Sequence, residues 1–280
     1  MTRPVFSVVC VYNDAETLAG WALKGLKEQA LGFEPILVDN TGGAFRSAAE
    51  GLNHGGAKAG GEYIVFMHQD VRLLSADWLR RAEVLLRALP DLGAAGVAGM
   101  TKGGSGGLFR VGAFPLENRA VFVYQGPEKE RLESGINSSA PVAVQTLDEQ
   151  LLIIPAKVFS AAGFDAATCA GWHLYGVDYS LSVKKLGLKA YALPLPVWHR
   201  STGTLNREYY GTLNKVIKKH KEEKVLYTTC GLWRTSVFLN LADLFLSAVR
   251  GQLGRWAGRN KSGAGPFINR IKMFLGAGGA

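Results

Sequence analysis

The chain opens on an apolar, β-branched run, residues 4–12, that stops at Asn13-Asp14. A short continuous apolar run closed by turn residues predicts a buried strand. Asn13-Asp14 can cap a helix, and Leu18, Trp21, Ala22, Leu26 and Ala30 recur at helical spacing, which predicts a helix over 15–30. The alternation then repeats. A strand over 35–40 ends at Asp39-Asn40, and a helix over 44–58 follows, weakened by Gly51, Gly55 and Gly56. A strand over 62–68 ends at His68-Gln69-Asp70, a helix over 76–89 precedes Pro90, and a strand covers 94–98. Further strands are predicted at 146–154 and 189–193, with a short helix from Pro155 and another over 173–187. Strands alternating with helices predict an α/β, Rossmann-like fold: a mostly parallel sheet with helices on both faces.

Composition changes this picture little. Of the 280 residues 48% are hydrophobic and 20% charged, which excludes a disordered or collagen-like chain. Three cysteines, Cys10, Cys169 and Cys230, lie far apart without a CxxC, so neither a disulfide framework nor a structural zinc site is expected. The glycine-rich stretch 101–118 matches neither the dinucleotide fingerprint nor the P-loop and reads as a connector or a lid.

Charge changes it more. The net charge of +9 is not spread evenly: residues 1–199 carry −1 and residues 200–280 carry +10. A neutral body therefore carries a basic C-terminal part. Within that part Ser236, Asn240, Asp243, Ser247 and Arg250 form a narrow polar stripe on an otherwise apolar helix. Beyond it Arg255, Arg259, Lys261, Arg270 and Lys272 interleave with Trp256, Phe267, Ile268, Met273 and Phe274. This pattern suits an interfacial amphipathic segment on an anionic membrane surface, or else a helix docked on the body or on a second copy in a homodimer. Nucleic acid is not expected, because the aromatics mix with aliphatics instead of forming a stacking platform. No secretion signal or membrane-spanning segment is read, and the expected location is cytoplasmic, peripheral at the inner face of the membrane.

In an open α/β sheet, ligands bind beyond the carboxyl ends of the strands. Three polar clusters fall there: Tyr12-Asn13-Asp14, Asp39-Asn40 and His68-Gln69-Asp70. The run from Asn53-His54-Gly55 through Ala59-Gly60-Gly61-Glu62-Tyr63-Ile64-Val65-Phe66 to His68-Gln69-Asp70 resembles family 2 glycosyltransferases of the GT-A fold, in the branch with His-Gln-Asp where others carry Asp-x-Asp. Leu147-Asp148, Gly163-Phe164-Asp165, Gly176-Val177-Asp178-Tyr179-Ser180-Leu181 and Trp198-His199 follow in that family's order, so the resemblance covers about residues 5–200.

The resemblance implies a GT-A domain over 1–205 and a basic amphipathic helical extension over 206–280. It implies an inverting transfer of a sugar from a nucleotide-sugar, UDP- or another NDP-sugar, to a glycan or lipid-linked acceptor, as in polysaccharide biosynthesis. Asp70 and His199 are the implied ligands of a divalent cation, Mn2+ or Mg2+, with His68 standing where an acid is usual. Tyr12, Asn13, Asp39, Asn53, Gln69 and Arg200 are implied on the nucleotide and donor, Arg200 and Arg207 also reading as plain basic surface. Asp148 is implied beside the sugar site, on the acceptor side, and the neighbouring Trp172 and His173 suit an acceptor platform because aromatic faces stack on sugar C–H surfaces, with core packing as the alternative for the two rings. Glu149 reads as a surface residue, and His54 and His220 as solvated.

An inverting transfer needs a base for the acceptor hydroxyl. Matching Gly176-Val177-Asp178 to the family's Glu-Asp motif makes Asp178 that base, with a helix cap as the plain alternative. A second alignment leaves Gly176 at the base position. Two rival readings remain: a non-catalytic nucleotide- or sugar-binding relative, suggested by His68 and Val177, and a membrane-associated assembly protein, suggested by the basic tail.

Overall fold

The computed structural model describes residues 3–103, 115–127, 130–131, 135–201 and 205–236. Most of the glycine-rich stretch and the amphipathic segment from 237 onward lie outside the described residues. In chain order the elements begin with β1 (Phe6–Tyr12), α1 (Ala15–Gly20), α2 (Ala22–Lys27), β2 (Glu34–Asp39), α3 (Ala48–Gly56), β3 (Tyr63–Met67), β4 (Val71–Leu73) and α4 (Trp78–Arg87). Then come β5 (Leu92–Gly96), β6 (Ala98–Met100), β7 (Arg119–Val121), β8 (Val123–Gln125), β9 (Glu130–Arg131), β10 (Val142–Val144), β11 (Thr146–Leu147) and β12 (Leu151–Pro155). The last are α5 (Ala156–Ala161), α6 (Tyr175–Lys185), β13 (Lys189–Ala192), β14 (Val197–His199), α7 (Arg207–Lys219), β15 (Val225–Thr228) and β16 (Gly231–Arg234).

The central sheet has seven strands in the order β10-β13-β5-β12-β3-β1-β2. β1, β2, β3, β5 and β13 share one direction, while β12 runs antiparallel between β3 and β5, and β10 antiparallel beside β13. The sheet is thus mixed, with most strands parallel. Both faces are covered, as the continuous apolar strands require. Along β3 the side chains alternate: Ile64 and Phe66 enter one core, Tyr63, Val65 and Met67 the other. In β12, Leu152 and Ile154 face the first core and Leu151 and Ile153 the second. Residues of α3, α5, α6 and α7 close the first core, and those of α1, α2 and α4 the second.

Two local features refine the sequence reading. The helix expected over 15–30 breaks at Trp21, leaving α1 capped by the Asp14 side chain, which accepts from the Glu16 and Thr17 amides. In α3 the glycines serve packing: a Cβ on Gly55 would lie 2.4 Å from Val9 Cγ1, and one on Gly56 2.4 Å from Phe159 Cε1. Only a helix bare of side chains on that face can sit so close to the sheet.

The boundary expected near 205 does not coincide with a break in packing. Tyr209, Tyr210, Leu213, Val216 and Ile217 of α7, with Leu226 and Trp233 of the β15–β16 hairpin, belong to the same core as α3 and α6. Residues 207–234 therefore complete the body. No helix among the described residues is long and apolar enough to cross a membrane.

Candidate active site

The carboxyl ends of β1, β2 and β3 bring one group of residues together. Gln69 ties this edge: its Oε1 accepts from the Asn13 and Asp14 amides at 2.9 and 3.0 Å, and its Nε2 donates to Asn13 Oδ1 at 2.7 Å. Asp39, exposed beside Tyr12 at the end of β2, accepts from the Thr41 amide and hydroxyl at 2.8 and 2.7 Å. The Thr41 hydroxyl and amide hold its carboxyl below the ordinary range, so it is an ionised acceptor for hydroxyl or N–H donors. Arg200 reaches Thr17 Oγ1 at 3.3 Å and lies 5.8 Å from the Trp21 ring, at the first turns after β1.

Immediately beside this edge, β14 pairs with β4 so that His199 lies opposite Val71. That register sets His199 Nε2 3.5 Å from Asp70 Oδ1, and Asp70 Oδ2 accepts from the Ser201 amide at 3.1 Å. His68, Asp70 and His199 offer ligand atoms that all lie within 4.8 Å of one another. Burial opposes the charge on Asp70, but the His199 hydrogen bond and the nearby imidazoles hold the carboxyl far below its usual range. Burial, with the neighbouring His199, lowers the His68 imidazole to about 4, so it is neutral and its nitrogen lone pair is available. The donor set, two imidazoles and one carboxylate, fits a divalent cation with coordination positions left for ligand oxygens.

A cavity of about 420 Å³ opens from these histidines. Asp148, Trp172 and His173 line it together with Glu149, so the three residues expected on the acceptor do meet in one place. Asp148 Oδ2 accepts from the Thr229 hydroxyl at 2.5 Å, and the His173 ring stands edge-on to Tyr209 at 5.8 Å. Trp172 is exposed at the rim, so core packing is not its role.

Three expectations need correction. Asp178 is 2% exposed and does not line the cavity. Its Oδ2 accepts from Lys219 Nζ at 2.7 Å, and its Oδ1 lies 2.8 Å from His220 Nε2. Both carboxylate oxygens are engaged inside the core, so no acceptor hydroxyl can reach them. His220 is accordingly fully buried, not solvated. Asn53 is also engaged elsewhere. Its Nδ2 donates to the Phe164 carbonyl at 2.8 Å and its Oδ1 accepts from the Phe164 amide at 2.9 Å. This two-point clamp holds the turn after α5 against α3, a structural role for the Asn53 amide.

Glu149 is the residue the sequence reading passed over. It lines the cavity, and its Oε1 is buried without a hydrogen-bond partner among the described residues. Burial and the adjacent Asp148 push its carboxyl up to about 8, against the pull of the Leu174 and Gly176 backbone amides at the start of α6. Leu174 just before that helix is the only described non-glycine residue with a positive φ, 64°, a backbone cost that clusters at functional sites. Tyr175 bridges the parts: its hydroxyl lies 2.8 Å from His68 Nε2 and donates to the Glu149 carbonyl at 3.2 Å. Gln125, 3.2 Å from His199 Nδ1, was also missed. An acidic pair at a strand entry, Asp148-Glu149, was the one available signal.

Comparison with known proteins identifies a family and a fold. Residues 27–220 match the family described as "Glycosyltransferase like family". No curated protein matches the sequence. Among solved structures, the chain is similar to the mannosyltransferase PcManGT from Pyrobaculum calidifontis, in complex with GDP-Man and Mn2+, at 15% identity and a TM-score of 0.55, over 98% of this chain and 85% of that one. It is also similar to GalNAc-T7 with UDP, GalNAc and Mn2+, at 14% identity and a TM-score of 0.50, over 77% of this chain and 48% of that one. These likenesses are of fold.

Proposed function

The chain belongs to the glycosyltransferase-like family, and from that premise we propose that it moves a sugar from a nucleotide-sugar to a hydroxyl of a glycan or lipid-linked acceptor, with inversion. The observation that carries this reading is the His68, Asp70 and His199 cluster, which stands between the strand-end polar groups and the cavity. The strand-end side, with Asp39 and the Asn13–Gln69 frame, suits a nucleoside, whose ribose hydroxyls and base N–H groups are donors to a carboxylate. The donor class is supported by the two similar structures, which carry GDP-Man and UDP.

Departure of a nucleoside diphosphate adds a negative charge to a group whose two phosphates are already ionised. His68, Asp70 and His199 would hold a divalent cation, Mn2+ or Mg2+, which when bound supplies Lewis-acid neutralisation of that diphosphate. Arg200 adds a fixed positive charge at the same edge, and Gln69 keeps the turn after β1 in place. On the cavity side Trp172 offers a flat apolar face for sugar C–H surfaces, while Asp148 and His173 offer polar contacts to its hydroxyls. The basic, aromatic-rich segment beyond 236 is proposed to bring the enzyme to an anionic membrane surface where lipid-linked acceptors reside, a reading supported by its sequence pattern alone.

A panel of nucleotide-sugars, assayed for turnover with and without Mn2+, tests the reading. We expect one nucleotide-sugar to be turned over, and Asp70→Asn to reduce that turnover by at least about 100-fold. Absence of binding and turnover across the panel, by a folded full-length chain with Mn2+ present, would contradict it.

A further inference from the structure

Gly176, in the first turn of α6, presents a bare backbone to Leu147, Asp148 and Glu149. A Cβ built on Gly176 would lie 3.3 Å from Glu149 Cγ, 3.1 Å from the Leu147 carbonyl oxygen and 3.4 Å from the Asp148 carbonyl carbon. No positive φ is recorded there, so what opposes an L side chain is its tight contact with the Leu147 carbonyl and the Glu149 side chain, not its own φ. The space that a side chain at 176 would enter is bounded by the Leu147 carbonyl and by the side chain of Glu149. Any carboxylate at 176 would therefore approach the same corner of the cavity, beside the amide-lined start of α6.

We propose that Glu149 is the general base that deprotonates the acceptor hydroxyl, its side chain packing against the bare face of Gly176. This rests on the glycosyl-transfer reading above. In the step, the acceptor oxygen forms a bond to the anomeric carbon of the donor sugar. The bond from that carbon to the diphosphate oxygen breaks, and its electron pair leaves with the diphosphate. The hydroxyl proton passes to a Glu149 carboxylate oxygen and from there to solvent.

Three observations support the assignment. Glu149 lines the cavity with Trp172 and His173, whereas Asp178 does not. Its Oε1 is buried without a hydrogen-bond partner among the described residues, so the hydrogen bonding of the carboxyl is incomplete. Its position is also fixed: its carbonyl accepts from Tyr175, whose hydroxyl touches His68, linking the base to the cluster that would face the leaving group. The raised carboxyl is consistent with a base poised near the working pH.

The test compares turnover of the wild type, Glu149→Gln, and the relocated pair Glu149→Gly with Gly176→Asp. Binding of the nucleoside diphosphate with Mn2+ is measured by calorimetry for each. We expect Glu149→Gln to lose about 10²–10⁴-fold in kcat while nucleotide affinity stays within about twofold. The relocated pair, which removes the Cγ that a side chain at 176 would meet, should recover at least tenfold over Glu149→Gln. Turnover of Glu149→Gln above a tenth of wild type overturns the base assignment, and a folded relocated pair no better than Glu149→Gln overturns the shared-space argument. A wild type that binds and turns over no nucleotide-sugar is a failure of the glycosyl-transfer reading, visible before any variant is compared.

Discussion

The two flanks of α6 each hold a carboxylate, and their surroundings could hardly differ more. On one flank Asp178 is sealed in the core with Lys219 and His220 closing on its two oxygens. On the other Glu149 opens onto the cavity, with one oxygen buried and unpartnered among the described residues. The same residue chemistry is used once to fasten α7 to the body and once, in our account, to move a proton. The difference teaches that a carboxyl group's role follows from what completes its hydrogen bonds: one whose two buried oxygens are both paired is structure, and one that lines a cavity with an oxygen unpaired is, in our account, chemistry.

The comparison is most sharply tested by removing the fastener. Asp178→Asn leaves Asp165 as the one carboxylate on Lys219 and leaves His220 with only Glu222, 3.6 Å from its Nδ1. Breaking a buried pair of this kind costs about 3–5 kcal/mol, so urea unfolding should show a loss of that order. A loss below about 1 kcal/mol would mean that the pair does not hold α7 in place.

A pH series sharpens the other side. Glu149 acts as a base only when ionised, so below its raised pKa of about 8 kcat/KM should climb roughly tenfold per pH unit and level off above it. Stability carries the opposite sign. Between the ordinary value of 4.5 and about 8, the folded state holds a proton that the unfolded state has released, so Glu149 makes the fold less stable as pH rises through that window. Glu149→Gln should remove both slopes. A variant that keeps the wild-type rate profile would locate the titrating group elsewhere.

The smallest expected effect comes from Asn53. Removing its clamp on Phe164 by Asn53→Ala should cost about 1–2 kcal/mol of stability and leave nucleotide affinity unchanged, as measured by denaturation and calorimetry. A selective loss of nucleotide affinity would return Asn53 to the donor site.

Much of the fold was legible because strand and helix periodicities are local. The runs 4–12, 35–40 and 62–68 read as strands, and the polar residues at their ends do gather at one sheet edge. The register that brings His199 to Asp70 was reached only through resemblance, since 129 positions separate the two in the chain. What failed to read was partner-dependent. Asp178 looks like a helix-start carboxylate until Lys219 and His220, some 40 positions later, fold onto it. Glu149 looks like surface because nothing nearby in sequence announces the left-handed Leu174 or the bare Gly176 that shape its pocket. Glycines in α3 read as weak helix when their purpose is close approach to Val9 and Phe159.

The central claim is the division of labour across α6, and the most direct measurement is kcat and unfolding midpoint together for Glu149→Gln and Asp178→Asn. The account predicts a crossed result: Glu149→Gln folded as stably as wild type at neutral pH or better, with turnover down by about 10²–10⁴, and Asp178→Asn strongly destabilised, with its folded fraction turning over within about threefold of wild type. The reverse pattern, with Asp178→Asn stable and inactive and Glu149→Gln active, would contradict it.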